Sequence, residues 1–377
     1  MNTQTGSLDL MKKMNRTLVL DLIRNEQPIS RALVAKKLGL SRSTVTAVVN
    51  ELLAKKFVVE TGFADSTKEG GRRGIELGFN PKSGYGVGVD IGRTRTLVIV
   101  TDLDGDVVCR EEHRTTTDVA DIARQIQECI HASGVERDLI LGMGIGLPGI
   151  VDSDAGLVLD VPALGWSNFN LIEALRPSFP FPIYLNNDVN CAALGERWLA
   201  RGGRCDNLFF IAIGSGIGGA IIARGELIEG HGYSAGEINC FVDREDLRAG
   251  RKPLPDGTGV FEQQMSGQAL SSDGVSAKEL FRRYRDGEPD ALRRIGEFAD
   301  YLSITIANVV SLLNPERVII GGGVSDSMDA VIDRIRETVA RLTPIRTQIE
   351  LARLGPDAGG IGAVAYVFQK LQDAEDL

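Results

Sequence analysis

"NLFFIAIGSGIGGAIIARGELIEG" runs from Asn207 to Gly230. An apolar run, Leu208 to Ile213, enters a turn of Gly214, Ser215 and Gly216, and a second apolar run leaves it. Gly214, Gly216 and Gly219 match the G-x-G-x-x-G spacing of dinucleotide-binding turns, but such turns open a helix. The residues after Gly219 are "AIIARGELI", β-branched and strand-like. The stretch therefore predicts a hairpin whose glycine turn offers backbone N–H groups to a phosphate, and not a nicotinamide-binding crossover.

Working outward, "GYGVGVDIGRTRTLVIVTDLDGDVV" (84–108) reads strand, tight turn, strand, turn, strand. "LILGMGIGLPGIVDSDAGLV" (139–158) is a buried strand ending in a Gly/Pro turn, and "RVIIGGGVSDS" (317–327) is another apolar strand ending in glycines. Gly144, Gly146 and Gly149 repeat the same weak glycine spacing. Helical periodicity falls at about 118–132, 188–200, 276–286, 290–313 and 328–341. Runs of strands with intervening helices predict α/β layers. The 44 glycines cluster, which implies tight turns or close backbone approach.

With 377 residues the chain holds two or three domains. It is 43% hydrophobic and 25% charged, an ordinary globular balance. No apolar run reaches the roughly 18 residues of a membrane span, and the polar N-terminus lacks a signal-peptide core. Five cysteines without CxxC spacing read as reduced thiols of a cytoplasmic protein. The net charge of −9 is divided unevenly. Residues 1–82 carry 14 Lys and Arg against 8 Asp and Glu, a net of +6, and the remainder carries 28 against 43, a net of −15. A basic head on an acidic body suggests one nucleic-acid-facing end.

The head supports this. "MNRTLVLDLIRNEQPIS" places Met14, Leu18 and Leu22, with Val19 and Ile23, at helical spacing before Pro28. Ser30 is an N-cap candidate for a second helix with Leu33, Val34 and Leu38 inward, and Gly39 supplies the turn. Ser41 caps a third helix whose apolar face is Val45, Val48, Val49 and Leu52. The opposite face offers Arg42, Ser43, Thr44, Thr46 and Asn50, which suit base edges and phosphates in a major groove. Two β-rich runs then flank a polar tip carrying Lys68, Arg72 and Arg73, a basic wing whose arginines fit a narrow minor groove. Residues 1–82 are thus expected to be a winged helix-turn-helix domain that binds double-stranded DNA.

In "YLNNDVNCAALGERWLA" (184–200), Asp188 sits where an apolar run becomes a helix. Two readings are open from the residues: a carboxylate placed for proton transfer or sugar hydroxyls, or a helix N-cap.

The body resembles the ROK family of bacterial sugar kinases and related sugar-responsive repressors, over nearly the whole chain. "VDIGRTRTLVIVTDLDG" resembles the first phosphate loop, with Asp90, Gly92 and Thr94 in a D-x-G-x-T pattern. "GIGLPGIVD" and the Trp166-containing "ALGWSNF" resemble segments leading to the sugar, and "LNNDVNCAALGE" the Asn-Asp sugar site. "GSGIGGAII", with Gly214, Gly216 and Gly218, resembles the second phosphate loop. "AGEINCF" and "VFEQQMSG" resemble the ExGH motif and a later glutamate segment, and the Gly-Arg-Arg wing is shared with the family's repressors.

The resemblance implies a two-lobed actin-like (ribonuclease H-like/sugar kinase) α/β body over residues 83–377. One lobe would span about 83–188 plus the C-terminal helix, the other about 189–355. Asn187, Asp188, Glu237 and Glu262 would hydrogen-bond sugar hydroxyls, with Cys240 at the place of a sugar-contacting histidine. In a kinase Asp188 would also take the proton of the attacking hydroxyl. The family's zinc site is expected to be absent. Cys240 replaces its histidine, and Pro253, Pro255 and Val260 stand where cysteines are expected, so neither a metal nor another cofactor is anticipated. Arg93 occupies the usual glycine position of the first loop, where it would fill the nucleotide site, pair with Asp90 or bind a phosphate by itself; this argues against catalysis without excluding a nucleotide, and Asp188 is then a vestigial base. Arg95 stands where a lysine is common.

These features together imply a cytoplasmic regulator, a repressor of carbohydrate-use genes. It would bind an operator as a homodimer, with a tetramer as the alternative, and be controlled by a sugar or sugar derivative. An active ATP-dependent sugar kinase with a DNA-binding appendage is the rival. Substituting Arg72 and Arg73 with Ala is expected to lower operator affinity and flatten its salt dependence. Removing one phosphate contact should reduce the slope of log K against log salt by about 0.9. A filter-binding titration over a salt series checks it, and an unchanged slope removes the wing from the DNA interface.

Overall fold

The two glycine hairpins seed two sheets of one plan. In the first, Tyr85–Ile91, Arg95–Asp102 and Val107–Arg114 form an antiparallel meander. Ile140–Leu147 and then Ile183–Asn187 add in parallel on the other side of Tyr85–Ile91. In the second, Leu208–Ile213, Ile217–Ala223 and Glu226–Ile228 make the meander. Arg317–Gly321 and Gln348–Leu351 add in parallel beside Leu208–Ile213. In order of appearance both sheets read 3-2-1-4-5. The computed structural model describes residues 3–63, 74–200, 205–255, 257–271 and 274–373. Among them no helix is long and apolar enough to cross a membrane, and all five cysteines are free thiols.

The N-terminal helices are Thr3–Glu26, Arg31–Leu38 and Arg42–Ala54, and Val58–Phe63 and Ile75–Phe79 pair as the wing. Ser30 and Ser41 cap the second and third helices through Leu33 N and Thr44 N, and Gly39 ends the second at φ 66°. The apolar spacing overstates the core. Val19, Ile23 and Val34 are fully buried, but Met14, Leu18 and Leu33 are exposed. Successive helical positions turn by about 100°, so Leu18 and Leu33 point away from the face set by their buried neighbours. The expected wing residues Lys68, Arg72 and Arg73 lie outside the described residues.

This domain does not close its core alone. Val19, Ile23, Leu52, Phe57 and Phe79 share one apolar cluster with Val364, Val367, Phe368 and Leu371 of the C-terminal helix, Ala358–Asp373. Arg24 adds a polar clasp. Its Nε donates to Asp104 Oδ1 at 2.7 Å, and its guanidinium lies 5.6 Å from the Phe79 ring centroid.

The C-terminal helix reaches its place because glycines clear the way. A Cβ at Gly88 would stand 1.9 Å from Gly360 O, and one at Gly144 would stand 2.1 Å from Ala363 O. On its other side, a Cβ at Gly362 would stand 1.6 Å from Cys191 O of the helix Asp188–Trp198. Backbone meets backbone there, so no rotamer change relieves an added methyl. Gly362→Ala should therefore destabilise by at least about 2–3 kcal/mol. Thermal unfolding should show a fall of several degrees, whereas Gly323→Ala, with nothing within 4 Å of its Cβ, should leave the midpoint nearly unchanged.

Candidate functional site: an acidic cleft between two glycine turns

Strand Ile183–Asn187 runs directly into helix Asp188–Trp198, and this junction sets the site. Asn187 is the N-cap: its Oδ1 accepts Val189 N at 2.8 Å and Asn190 N at 3.1 Å, while its Nδ2 donates to Gly149 O at 3.1 Å. Asp188 comes next, in the first turn, with Oδ1 2.8 Å from Val189 N. Capping thus belongs to Asn187, and the Asp188 carboxyl is turned to the cavity. Burial pushes its pKa up to about 6, against the pull of the Val189 N–H. Beneath the junction, Asn186 is 1% exposed. It donates to Glu229 Oε1 at 3.0 Å and accepts from Asn190 Nδ2 at 2.9 Å. No sequence motif singles out this buried amide pair.

Asp90 is the last residue but one of strand Tyr85–Ile91, in the same sheet as Ile183–Asn187. Burial pushes its carboxyl up to about 7; the Asp188 charge adds to the rise and Arg95 opposes it. Its Oδ2 lies against the start of the C-terminal helix, where a Cβ on Gly359 would come within 2.7 Å. The cation of this region is Arg95 and not Arg93. Arg95 lines the cavity, donating to Pro356 O at 2.8 Å and Glu112 Oε2 at 3.2 Å. Arg93 is exposed, does not line the cavity, and makes no hydrogen bond or ion pair among the described residues. Its expected blocking or pairing is therefore corrected: the turn between the two strands points it outward. That turn is held by Gly92 N donating to Arg95 O at 2.9 Å and by Thr115 Oγ1 donating to Gly92 O at 2.8 Å. Thr94 is exposed within it.

The second turn faces the first across a cavity of about 860 Å³. Gly214 N donates to Gly216 O at 2.9 Å, and Gly214 O accepts from Gly267 N at 2.8 Å. A Cβ on Gly218 would meet Val189 at 3.0 Å, so this loop packs on the helix that starts with Asp188. Lys278, Gln268 and Gly322 complete the cavity at positions that carried no motif.

Glu237 and Glu262 gather at the same place. Burial, Asp188 and Glu262 push the Glu237 carboxyl up, and Glu262 Oε1 would lie 2.4 Å from a Cβ on Gly216. Both glutamates lie near enough to bear on the Cys240 thiol. Pro253 and Pro255 are exposed and Val260 is in the core. At the other end of the molecule, Arg42, Ser43, Thr46 and Asn50 are exposed on the third helix and Thr44 is half-buried. Ser43 and Thr44 share the Ser41 hydroxyl at 2.8 Å each, and Thr46 Oγ1 donates to Arg42 O at 2.8 Å. Among the described residues the side chains of Arg42 and Asn50 make no hydrogen bond or ion pair, and both are exposed.

The chain belongs to the ROK family, whose model matches residues 86–370. A winged helix-turn-helix DNA-binding model matches residues 15–59. A xylose repressor of Caldicellulosiruptor bescii is 29% identical and covers 97% of this chain and 98% of its own. A glucokinase of Halalkalibacterium halodurans is 32% identical over 77% of this chain and 96% of its own. The crystal structure of a ROK family transcriptional regulator, a homologue of the E. coli MLC protein, superposes with a TM-score of 0.81. It covers 96% of this chain and 97% of its own at 24% identity.

Asp90 and Asp188 have native pKa values above the unfolded carboxyl range of about 3.9. Between about pH 4 and 7 the native state then binds more protons than the unfolded one, so this contribution to stability is full below pH 4 and is lost as pH rises through 7. Asp90→Asn should flatten the fall in melting temperature between pH 4.5 and 8, with the largest gain over wild type at pH 8. Parallel curves for the two proteins would mean that Asp90 is well solvated.

Proposed function

We propose that this protein is a transcriptional repressor of carbohydrate-use genes whose cleft binds a sugar or sugar derivative. The observation that carries the reading is one helix joining both ends of the molecule. Helix Asp188–Trp198 begins in the acidic cleft and ends at Trp198. The Trp198 ring lies 5.5 Å from that of Phe368, edge to face. Both rings line a cavity with Leu20, Leu52 and Phe57 of the DNA-binding domain, beside Arg16, Asp21 and Arg24. A ligand that draws the lobes together moves this helix, and the difference in its affinity for open and closed bodies becomes a difference in operator affinity. Asp188, Glu237 and Glu262 suit the hydroxyls of a sugar because carboxylates accept from paired donors. Asn187 would orient the helix start and reach the ligand with its remaining N–H. Arg42 and Asn50 would read base edges, and Ser43, Thr44 and Thr46 would add phosphate contacts. The protein acts in the cytoplasm as a dimer on paired half-sites, and needs no cofactor for this work.

The full-length likeness to a xylose repressor supports this reading. One observation favours the kinase alternative: the 860 Å³ cavity between the glycine turns is open to a nucleotide, and Asp188, at about 6, is well tuned as a base near neutral pH. A coupled assay of ATP consumption over a panel of hexoses separates the two. Turnover absent from the buffer control would establish the kinase.

Asp188→Asn should leave operator affinity within about twofold of wild type while weakening the sugar response. Loss of a charge-assisted bond costs about 1.5–3 kcal/mol, roughly a 10- to 150-fold higher sugar concentration for release. Operator release followed by fluorescence anisotropy during sugar titration checks this; release at the wild-type concentration removes Asp188 from the sugar site.

A further inference from the structure

On the far side of the first lobe, strand Val107–Arg114 forms the edge of its sheet, and helix Val119–Ser133 packs over it. Cys109, Glu111 and His113 are half-buried on this strand, alternating with exposed Arg110, Glu112 and Arg114. One ligand atom each from Glu111, His113 and Glu128 of the helix lies within 4.8 Å of the others. His113 Nε2 is buried and makes no hydrogen bond, although Glu111 Oε2 is 3.3 Å away. A buried imidazole nitrogen 3.3 Å from a carboxylate oxygen, with no hydrogen bond between them, leaves the lone pair of a neutral ring free for an ion that the carboxylate can share. A tetrahedral ion with bonds of about 2.0–2.1 Å holds neighbouring donors about 3.3–3.4 Å apart. Gln125, one helical turn before Glu128, is 8% exposed and its Oε1 has no partner.

We propose that Glu111, His113 and Glu128 form a site for one divalent transition-metal ion, zinc by donor chemistry, with water completing the shell. One imidazole and two carboxylates suit zinc and its first-row neighbours, whereas magnesium favours an all-oxygen shell. The site is remote from the Cys240 loop and owes nothing to it. Glu128 enters by leaving Arg124, whose exposed pair with it at 3.3 Å is weak. The ion ties the sheet edge to the helix. The same strand continues into Thr115, whose hydroxyl holds the first glycine turn at Gly92, so occupancy stiffens one wall of the cleft from behind. The neighbouring thiols of Cys109 and Cys129, 3.0 Å apart, are the competing donors.

The test uses the full chain, stripped with a chelator and dialysed against zinc or magnesium chloride. Metal analysis should find one zinc per chain and no bound magnesium, with a rise in melting temperature on zinc addition. His113→Ala and Glu111→Gln should weaken zinc binding at least about tenfold, and so should Glu128→Gln, whose half-exposed side chain makes a folding defect an insufficient explanation. Cys109→Ser with Cys129→Ser should keep the metal. Cobalt in place of zinc should lack a thiolate charge-transfer band. The proposal is overturned if wild type retains no zinc, if the three substitutions leave its affinity unchanged, or if the cysteine variant alone loses it.

Discussion

The architecture rests on contacts too close for any side chain. The C-terminal helix lies against the first sheet through Gly88 and Gly144, and against helix Asp188–Trp198 through Gly362. Interiors packed this tightly transmit displacement instead of absorbing it. Asp90 leans on the first turn of one of these helices, and Asp188 begins the other. The spacing of the two carboxyls is therefore set by glycine contacts at several remote points, and the cleft inherits its geometry from the way the chain ends.

Within the cleft the electrostatics are one-sided. Asp188, Glu237 and Glu262 crowd together, and burial with the charges of Asp188 and Glu262 pushes the Glu237 carboxyl up. Arg95 offsets some of this near Asp90, but its guanidinium is also committed to Pro356 O and Glu112. Donors on the cavity wall include Arg95, Lys278 and the Gln268 amide. A neutral ligand rich in hydroxyl groups would satisfy carboxylates and donors alike.

The chemistry legible in the sequence was mostly local. The β-branched run after Gly219 excluded a helix there, and Leu208–Ile213 and Ile217–Ala223 do pair as a hairpin. Ser30, Gly39 and Ser41 act as caps because their short side chains or absent Cβ decide the matter within three residues. Long-range placement was harder. Arg93 and Arg95 differ by two positions, yet the twist of the turn decides which enters the cleft. Asn187 took the capping role that residue type alone allowed to Asp188. The common 3-2-1-4-5 order of the sheets left no visible repeat, since it is kept by hydrogen-bond partners and not by residue identity. Glu111, His113 and Glu128 meet only because a strand edge folds under a helix, and no spacing motif announces that.

The shared core of the DNA-binding domain and the C-terminal helix has a consequence for synthesis. Phe57 and Phe79 are made well before Val367, Phe368 and Leu371, which join their cluster. A nascent head leaving the ribosome therefore waits, with part of its apolar surface bare, until the helix Ala358–Asp373 has followed it. A message truncated before Val364 would yield a protein with its recognition helix intact in sequence but seated on an unfinished core. The seat of the recognition helix is thereby tied to the synthesis of a segment far from it along the chain.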